Sequence, residues 1–480
     1  MDLHFINGSK YMLLSSMVLL LAACCTKGLL SYCCALVLLI LILTAVLAQR
    51  TSRFPGSRVV SLPRDPSHWR YGWDARRDFS VPPVLDDKPV EAPGSLSWFS
   101  PSSASKAVSF LGQALEQLLN SHYIEDGAGT FRFRYTLPGL EWALLGPRCQ
   151  PEHLHLSLKD AKGAMVALLT ATPMTLLIEG EQCAVANCDF LAIHRDWRGQ
   201  RLLPLMAREL QRRCRVQGLK VQVMTTSQDV PGPIAVAQCF HFLVPASLKK
   251  LITVGFTEVP PGNPQTWEQA LAAHPSNKPV PKTVLVLKPL TKELVPSARC
   301  LHKQHSNEHF PRFSRVYETD EEFAYDLLPR EGIMSTFVRM GSSGEVIDLI
   351  SFWYTDYYVT FKSTEEGWIE YSPGKFGHVL TKKKSFKKPP GKLANQRIRT
   401  AFLYYTVAET VQPKQLLAAA LPHIVKAGAD TINALPVMGM AQSDLAELSF
   451  APGNGHANYH VYGVNMRGLQ PVELAMYPGI

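Results

Sequence analysis

The sequence lacks an ordered cysteine pattern. Its ten cysteines include no CxxC pair. They therefore predict neither a zinc site nor a disulfide framework, and reduced thiols facing a cytosol fit them. No metal and no cofactor are expected. Internal repeats are also missing. Acidic residues are the minority, 40 against 49 Lys and Arg, which leaves a net charge of +9. Such a balance suits an anionic partner, whether phosphate, acidic lipid or nucleic acid, without choosing among them.

Charge is missing altogether from Leu29–Ala48, a run of twenty residues. A helix of that length spans about 30 Å, the thickness of a bilayer core. A shorter apolar run, Tyr11–Thr26, precedes it. It reads as the first leg of a hairpin, an in-plane helix or a signal-peptide core. Arg50, Arg53, Arg58 and Arg64 follow the long run, so the rest of the chain is expected to face the cytosol from a membrane anchor. The four cysteines in this region are candidates for palmitoylation or simply small apolar residues.

The remaining residues have a globular composition, and 480 residues allow two or three domains. The expected division is 1–50 membrane anchor, 51–95 Pro/Arg-rich linker, 96–290 first half and 291–480 second half. Periodicity predicts a helix over Ala104–Asn120 and strands over Phe131–Tyr135, Met165–Ile178 and Ala184–His194. A basic amphipathic helix, Arg201–Gln217, is closed by Gly218 and followed by a strand at Lys220–Thr225. Strand, helix and strand thus recur in βαβ fashion. Later, Gly332–Val338, Val346–Tyr354 and Thr400–Ala408 read as strands and Gln412–Ala427 as a helix, followed by Asp430–Leu435. Gly255–Lys282 and Lys382–Lys392 read as loops.

The junction CDFLAIHRDWRGQRLLPLM, Cys188 to Met206, sets three arginines and a glycine between two apolar runs. Pro204 has no N–H and belongs in the first turn of a helix. The amides of Gly199, Gln200, Arg201, Leu202 and Leu203 then stand unpaired at a helix N-terminus, and Arg195, Arg198 and Arg201 add full charge. That combination predicts a pyrophosphate cradle.

The arrangement resembles the coenzyme A cradle of GNAT-like acyltransferases, and its wording resembles the N-myristoyltransferase family. DFLAIH and WRGQRLLP match that family's strand and basic helix entry. YIEDGAGTFRFRY at Tyr123–Tyr135, EWALLGP at Glu141–Pro147, GEVIDLISFWY at Gly344–Tyr354, DTINALPVM at Asp430–Met438 and FAPGNGHANYHVY at Phe450–Tyr462 are similar to further family segments, in order. The resemblance covers roughly residues 71–480. It implies an α/β fold of two GNAT-like halves related by a pseudo-twofold around a mixed sheet. It also implies direct transfer of myristoyl from myristoyl-CoA to the N-terminal glycine amine of a protein, without a covalent enzyme intermediate and without nucleic acid.

By resemblance, the Phe190 and Leu191 amides hold the oxyanion. Thr225 and a terminal carboxylate, here that of Ile480, assist removal of the amine proton. Trp73, Arg198, Gly199, Gln200, Arg201, Leu202, Leu203 and Pro204 take the acyl-CoA. Tyr123, Phe131, Phe133, His241, Asn433, Gly453, Asn454 and Gly455 fall on peptide-groove positions. The departures gather at the chemistry. The family's asparagine before the oxyanion pair is Asp189, a carboxylate that could act as the base or hold the amine as a cation. The family's YTAG is MTTS at Met224–Ser227. The basic stretch has Gln200 for lysine. GDG becomes Gly453-Asn454-Gly455, and the acidic cluster shrinks to Glu125-Asp126, which predicts a weaker preference for basic substrates. The tail is one residue longer than the family's, counted from Phe450, and reads MYPGI. The alternative reading is therefore a catalytically weak paralogue that binds acyl-CoA or lipidated N-termini as a membrane scaffold.

Overall fold

A computed structural model describes residues 88–124, 131–226, 235–257 apart from 255, 284–359, and 396–477 apart from 465 and 467, with short pieces of 269–272 and 363–381. All of them lie in the unit Asp65–Ile480. The apolar runs of the N-terminus fall outside the described residues. Among the described residues no helix is long and apolar enough to cross a membrane.

The elements that build the site are strands β1 (Phe131–Arg134), β2 (Met165–Ile178), β3 (Glu181–Ile193), β4 (Val221–Thr226), β5 (Ala237–Pro245), β6 (Val346–Val359), β7 (Arg397–Ala408), β8 (Thr431–Ala434) and β9 (Ala451–Tyr462). Four helices accompany them: α1 (Ala104–Ala114), α2 (Leu202–Val216), α3 (Val295–His309) and α4 (Pro413–Lys426). The strand limits read from alternation agree to within a few residues, apart from β6, which runs on to Val359. The helix expected over Ala104–Asn120 changes after Ala114 into a π-helical turn, Leu115–Leu119.

One mixed 15-stranded sheet runs through the molecule. Two parallel crossovers dominate it. β3 passes through α2 to β4, pairing Val185 with Val221 through Cys188 with Met224. β7 passes through α4 to β8, pairing Thr400 with Thr431 through Phe402 with Asn433. Each crossover is completed by a strand from the other end of the chain: late β9 pairs with β4 and earlier β5 pairs with β8. β5 and β9 pair with each other between them. The mixed α/β fold expected from the sequence is present.

α2 shows why these residues fold so. Leu202, Met206, Leu210 and Cys214 recur every four residues and are all buried, a stripe that covers β2 and β3. Full burial of such a side chain stabilises by roughly 1.5–3 kcal/mol. Pro204 lies in the first turn, as read, and Gly218 follows the helix at φ +76°, a left-handed position that ends helices.

Candidate active site

The first crossover opens into a fork. The parallel ladder between β3 and β4 stops at Cys188 and Met224. The next residues are Asp189 and Phe190 on one strand and Thr225 on the other. Against β2, Leu168 faces Ala192 and Thr170 faces Asp189, so Phe190 and Leu191 both stand opposite Leu169. This β-bulge takes their amides out of regular pairing. Phe190 sits at φ +53°, a strained conformation for a non-glycine residue that collects at functional sites. Its ring is buried against Tyr123 and Tyr135, at 5.9 and 5.3 Å between centroids. The Thr170 hydroxyl donates to the Asp189 carbonyl at 2.9 Å and pins the bulge from the β2 side.

Asp189 lines a cavity of about 90 Å³ with Asn187, Tyr404, Tyr405 and Tyr477. Asp189 is half-buried where it lines that cavity. Burial raises its pKa to about 7, opposed by a hydrogen bond from Asn187 Nδ2 at 2.6 Å. The group therefore changes charge near neutrality. Tyr477, the last described residue, closes the cavity beside Tyr404, 5.6 Å between ring centroids. Ile480 lies outside the described residues. On the opposite edge of β4 from the fork, Thr225 pairs with Tyr459 of β9.

From the bulge an aromatic path crosses to the second half. Tyr135 is 6.1 Å from Phe133, Phe133 is 6.2 Å from Phe402, and Phe402 is 6.3 Å from the His241 ring. Phe133 also lies 4.2 Å from Tyr357, because β1 pairs with the end of β6. His241 Nδ1 and Asn433 Oδ1 are 2.8 Å apart. Burial lowers the His241 pKa despite that bond. Between Pro452 and His456 the pairing of β9 with β5 shifts register, so Gly453-Asn454-Gly455 bows out against His241. A Cβ at Gly453 would come within 3.2 Å of the His241 carbonyl, and one at Gly455 within 3.3 Å of its ring. These residues, scattered over 123–135 and 241–455 in sequence, form one chain of contacts, in which Tyr135, Phe402 and Asn433 are buried. Phe131 differs: its ring packs on Phe256 at 5.2 Å within a small separate core.

At the other side of the fork stands the basic helix entry. Gly199 has φ +79° and Arg201, the residue before α2, has φ +58°, and no side chain caps the helix. Leu202 and Leu203 present first-turn amides that an α-helix leaves unpaired. Arg198 Nε donates to the Ile193 carbonyl at 3.1 Å and its other nitrogen to the His122 carbonyl. Arg195 Nε donates to His122 Nδ1 at 3.3 Å. The His122 ring lies 3.9 Å from that of His194. Burial first, then His194 and the two arginines, lower the His122 pKa to about 4. The imidazole is neutral there and accepts from Arg195. Gln200 donates to the Asp196 carbonyl at 3.3 Å.

Trp73, Glu125, Asp126 and Ser227 lie outside the described residues. Sequence reasoning missed Asn187, Tyr477, Phe402 and His122. Asn187 stands two residues before Asp189 on one strand face, a spacing that was available. The others meet the site only through tertiary contacts.

Comparison with known proteins agrees with this geometry. Residues 83–239 match the family model described as the N-terminal domain of myristoyl-CoA:protein N-myristoyltransferase. The probable glycylpeptide N-tetradecanoyltransferase of Caenorhabditis elegans is 26% identical over 367 residues, covering 75% of this chain and 72% of its own length. Glycylpeptide N-tetradecanoyltransferase 1 of Arabidopsis thaliana is 28% identical over 364 residues, covering 75% and 74%. In fold, the chain superimposes on Saccharomyces cerevisiae N-myristoyltransferase, crystallised with bound myristoyl-CoA, at a TM-score of 0.66 and 22% identity, over 83% of this chain and 89% of that one. The matched first half, relatives of 26% and 28% identity that span three quarters of the chain, and the shared fold make this chain similar to N-myristoyltransferases over most of its length.

Proposed function

We propose that this protein transfers the myristoyl group of myristoyl-CoA to the N-terminal glycine amine of proteins. The fork carries the reading: a strained bulge beside a carboxyl of raised pKa, with an uncapped basic helix entry on one side and the aromatic path from Tyr135 to His241 on the other. The entry takes the CoA phosphates and sets the thioester carbonyl at the bulge. The Phe190 and Leu191 amides stabilise its oxygen as negative charge develops. The amine nitrogen attacks the carbonyl carbon; the C–N bond forms, the C–S bond breaks, and CoA leaves as a thiolate that takes up a proton. Asp189, with a pKa near 7, accepts the proton that the amine must lose. The reaction draws on no cofactor beyond the acyl-CoA co-substrate.

The peptide runs along Phe133, His241, Asn433 and Gly453–Gly455, with a weakened preference for basic residues. The sheet divides into two GNAT-like halves, the exchange of β5 and β9 marking the pseudo-twofold between them. Leu29–Ala48 anchors the chain to a membrane lipid bilayer, with the catalytic part on the cytosolic side. The named relatives are transferases and lend no support to a non-catalytic scaffold.

The test is to supply myristoyl-CoA with glycine-initiated peptides and follow release of the CoA thiol against pH. Turnover should rise through about pH 7, and Asp189→Asn should lose that rise together with ~10²–10⁴-fold of kcat. Tight acyl-CoA binding with no turnover on any peptide would replace the transferase by an acyl-CoA-binding scaffold.

A further inference from the structure

Away from the fork, α3 carries His305 and His309 four residues apart, on one face of the helix. Glu409 follows directly on the last residue of β7, 104 residues beyond His305. Its Oε1 lies 2.5 Å from His305 Nδ1 and 3.6 Å from His309 Nε2. One ligand atom from each residue can be chosen so that all lie within 4.8 Å of one another. None of the three lines the cavity that holds Asp189. The sequence alone gave no reason to expect a metal, because the carboxylate is so distant along the chain.

The cluster is built rather than incidental. Asp348, fully buried, accepts the Glu409 N–H at 2.8 Å and the Thr410 N–H at 2.9 Å, and is itself paired with Arg339 at 2.6 Å. The main chain that carries the carboxylate is therefore fixed. His305 is held in the core beside Phe310, 5.4 Å between rings. The His309 side chain is 49% exposed, which leaves a path for an ion and room for water as a further ligand. Metal–ligand bonds of ~2.0–2.1 Å in a tetrahedron set ligand atoms ~3.3 Å apart. The His309–Glu409 separation already fits, and the His305–Glu409 contact has to open by less than ~1 Å.

We propose that His305, His309 and Glu409 bind one divalent transition-metal ion of the zinc class, fastening α3 to the end of β7. Two imidazoles and one carboxylate favour zinc-like ions over calcium or magnesium.

The experiment uses the full chain, stripped with a chelator, and titrates Zn²⁺ against a chromophoric competitor at neutral pH. The wild type should take up one equivalent at this site, and Tm should rise by ~2 °C or more at zinc levels well above Kd. His309→Ala, at a half-exposed position, should keep the metal-free Tm and lose both the equivalent and the zinc-induced rise. Glu409→Gln should weaken binding by at least ~10-fold, since even indirect partners of a metal ligand are worth ~10–100-fold. Cys300 is exposed on the same helix, so Cys300→Ser is the control and should bind as the wild type does. Absence of the equivalent in the wild type, equal uptake by His309→Ala, or loss of uptake in Cys300→Ser instead would each overturn the proposal.

Discussion

The two crossovers are built alike and finished differently. In each, a parallel ladder ends and the first strand bulges just beyond it: at Phe190–Leu191 in β3, and at Tyr404 in β7, where Ser351 faces Tyr405 and Phe352 faces Leu403. In each, a helix follows. The first helix begins just after Arg201, which is in a left-handed conformation and supplies no side-chain cap. The second is closed by its own side chains, Gln415 accepting the Gln412 N–H at 3.1 Å with Pro413 next in line. The turn amides before α4 are taken by the Asp348 carboxylate. One scaffold thus occurs twice, once with a helix start that no side chain caps and once with the preceding turn amides held by an internal carboxylate. On that difference rests the proposal that the first entry takes the phosphates.

The largest effect should come from emptying the filled entry. Asp348→Asn removes a buried charge that serves two amides, the Thr410 hydroxyl and Arg339. Breaking a buried pair of this kind costs ~3–5 kcal/mol, readable as a lower denaturation midpoint in urea with acyl-CoA affinity unchanged. Equal loss of affinity would show that the second entry also serves the co-substrate.

The converse change acts on the open entry. Arg198→Ala with Arg201→Ala removes two charged donors, each worth ~1.5–3 kcal/mol when it contacts a phosphate. Affinity for CoA should fall ~10²-fold or more, and more steeply at low salt, while stability stays close to that of the wild type. Isothermal titration at two salt concentrations would decide it.

These contrasts explain what was legible in the sequence. The first crossover could be read because its evidence is local: alternation in β3, the Leu202–Cys214 stripe, Pro204 and Gly218 all lie within 40 consecutive residues. α3 escaped because its buried positions include His302, His305 and Ser306, so its apolar period is broken. The exchange of β5 and β9 was hidden because pairing of Thr225 with Tyr459 depends on tertiary assembly, not on spacing. The cavity around Asp189 draws on Asn187, Tyr404 and Tyr477, whose meeting no window of sequence contains. The substitution at Asp189 was visible; that burial makes the carboxyl titrate near pH 7 was not.

That burial has a stability consequence. The folded pKa of Asp189 is raised from 3.8 to about 7. Folding therefore favours the protonated form, and this contribution is complete below about pH 4, declines as pH rises, and is gone above about pH 7. At about 1.4 kcal/mol per pKa unit the full rise corresponds to ~4 kcal/mol, an upper bound for a group facing a cavity. Asp189→Asn should raise stability by ~1–3 kcal/mol at pH 8 and flatten the decline between pH 4 and 7. Denaturation midpoints measured across that range would test this, and an unchanged slope would place the charge in water.

The smallest effect sharpens the comparison most. A Cβ at Gly199 would meet no atom within 4 Å, yet the residue sits at φ +79°. Gly199→Ala should therefore cost ~1–2 kcal/mol of strain through backbone conformation alone. At the second entry, Gln412 has φ −70°, which alanine adopts freely, so Gln412→Ala should cost a few tenths of a kcal/mol at most. CoA affinity divides the pair further, since only the Gly199 methyl would stand where phosphate approaches the main chain. We expect ~5–10-fold weaker CoA binding for Gly199→Ala and none for Gln412→Ala. Equal affinities would mean that the phosphates contact the arginine side chains and not the backbone, which would shift recognition at this fork from helix amides to guanidinium groups.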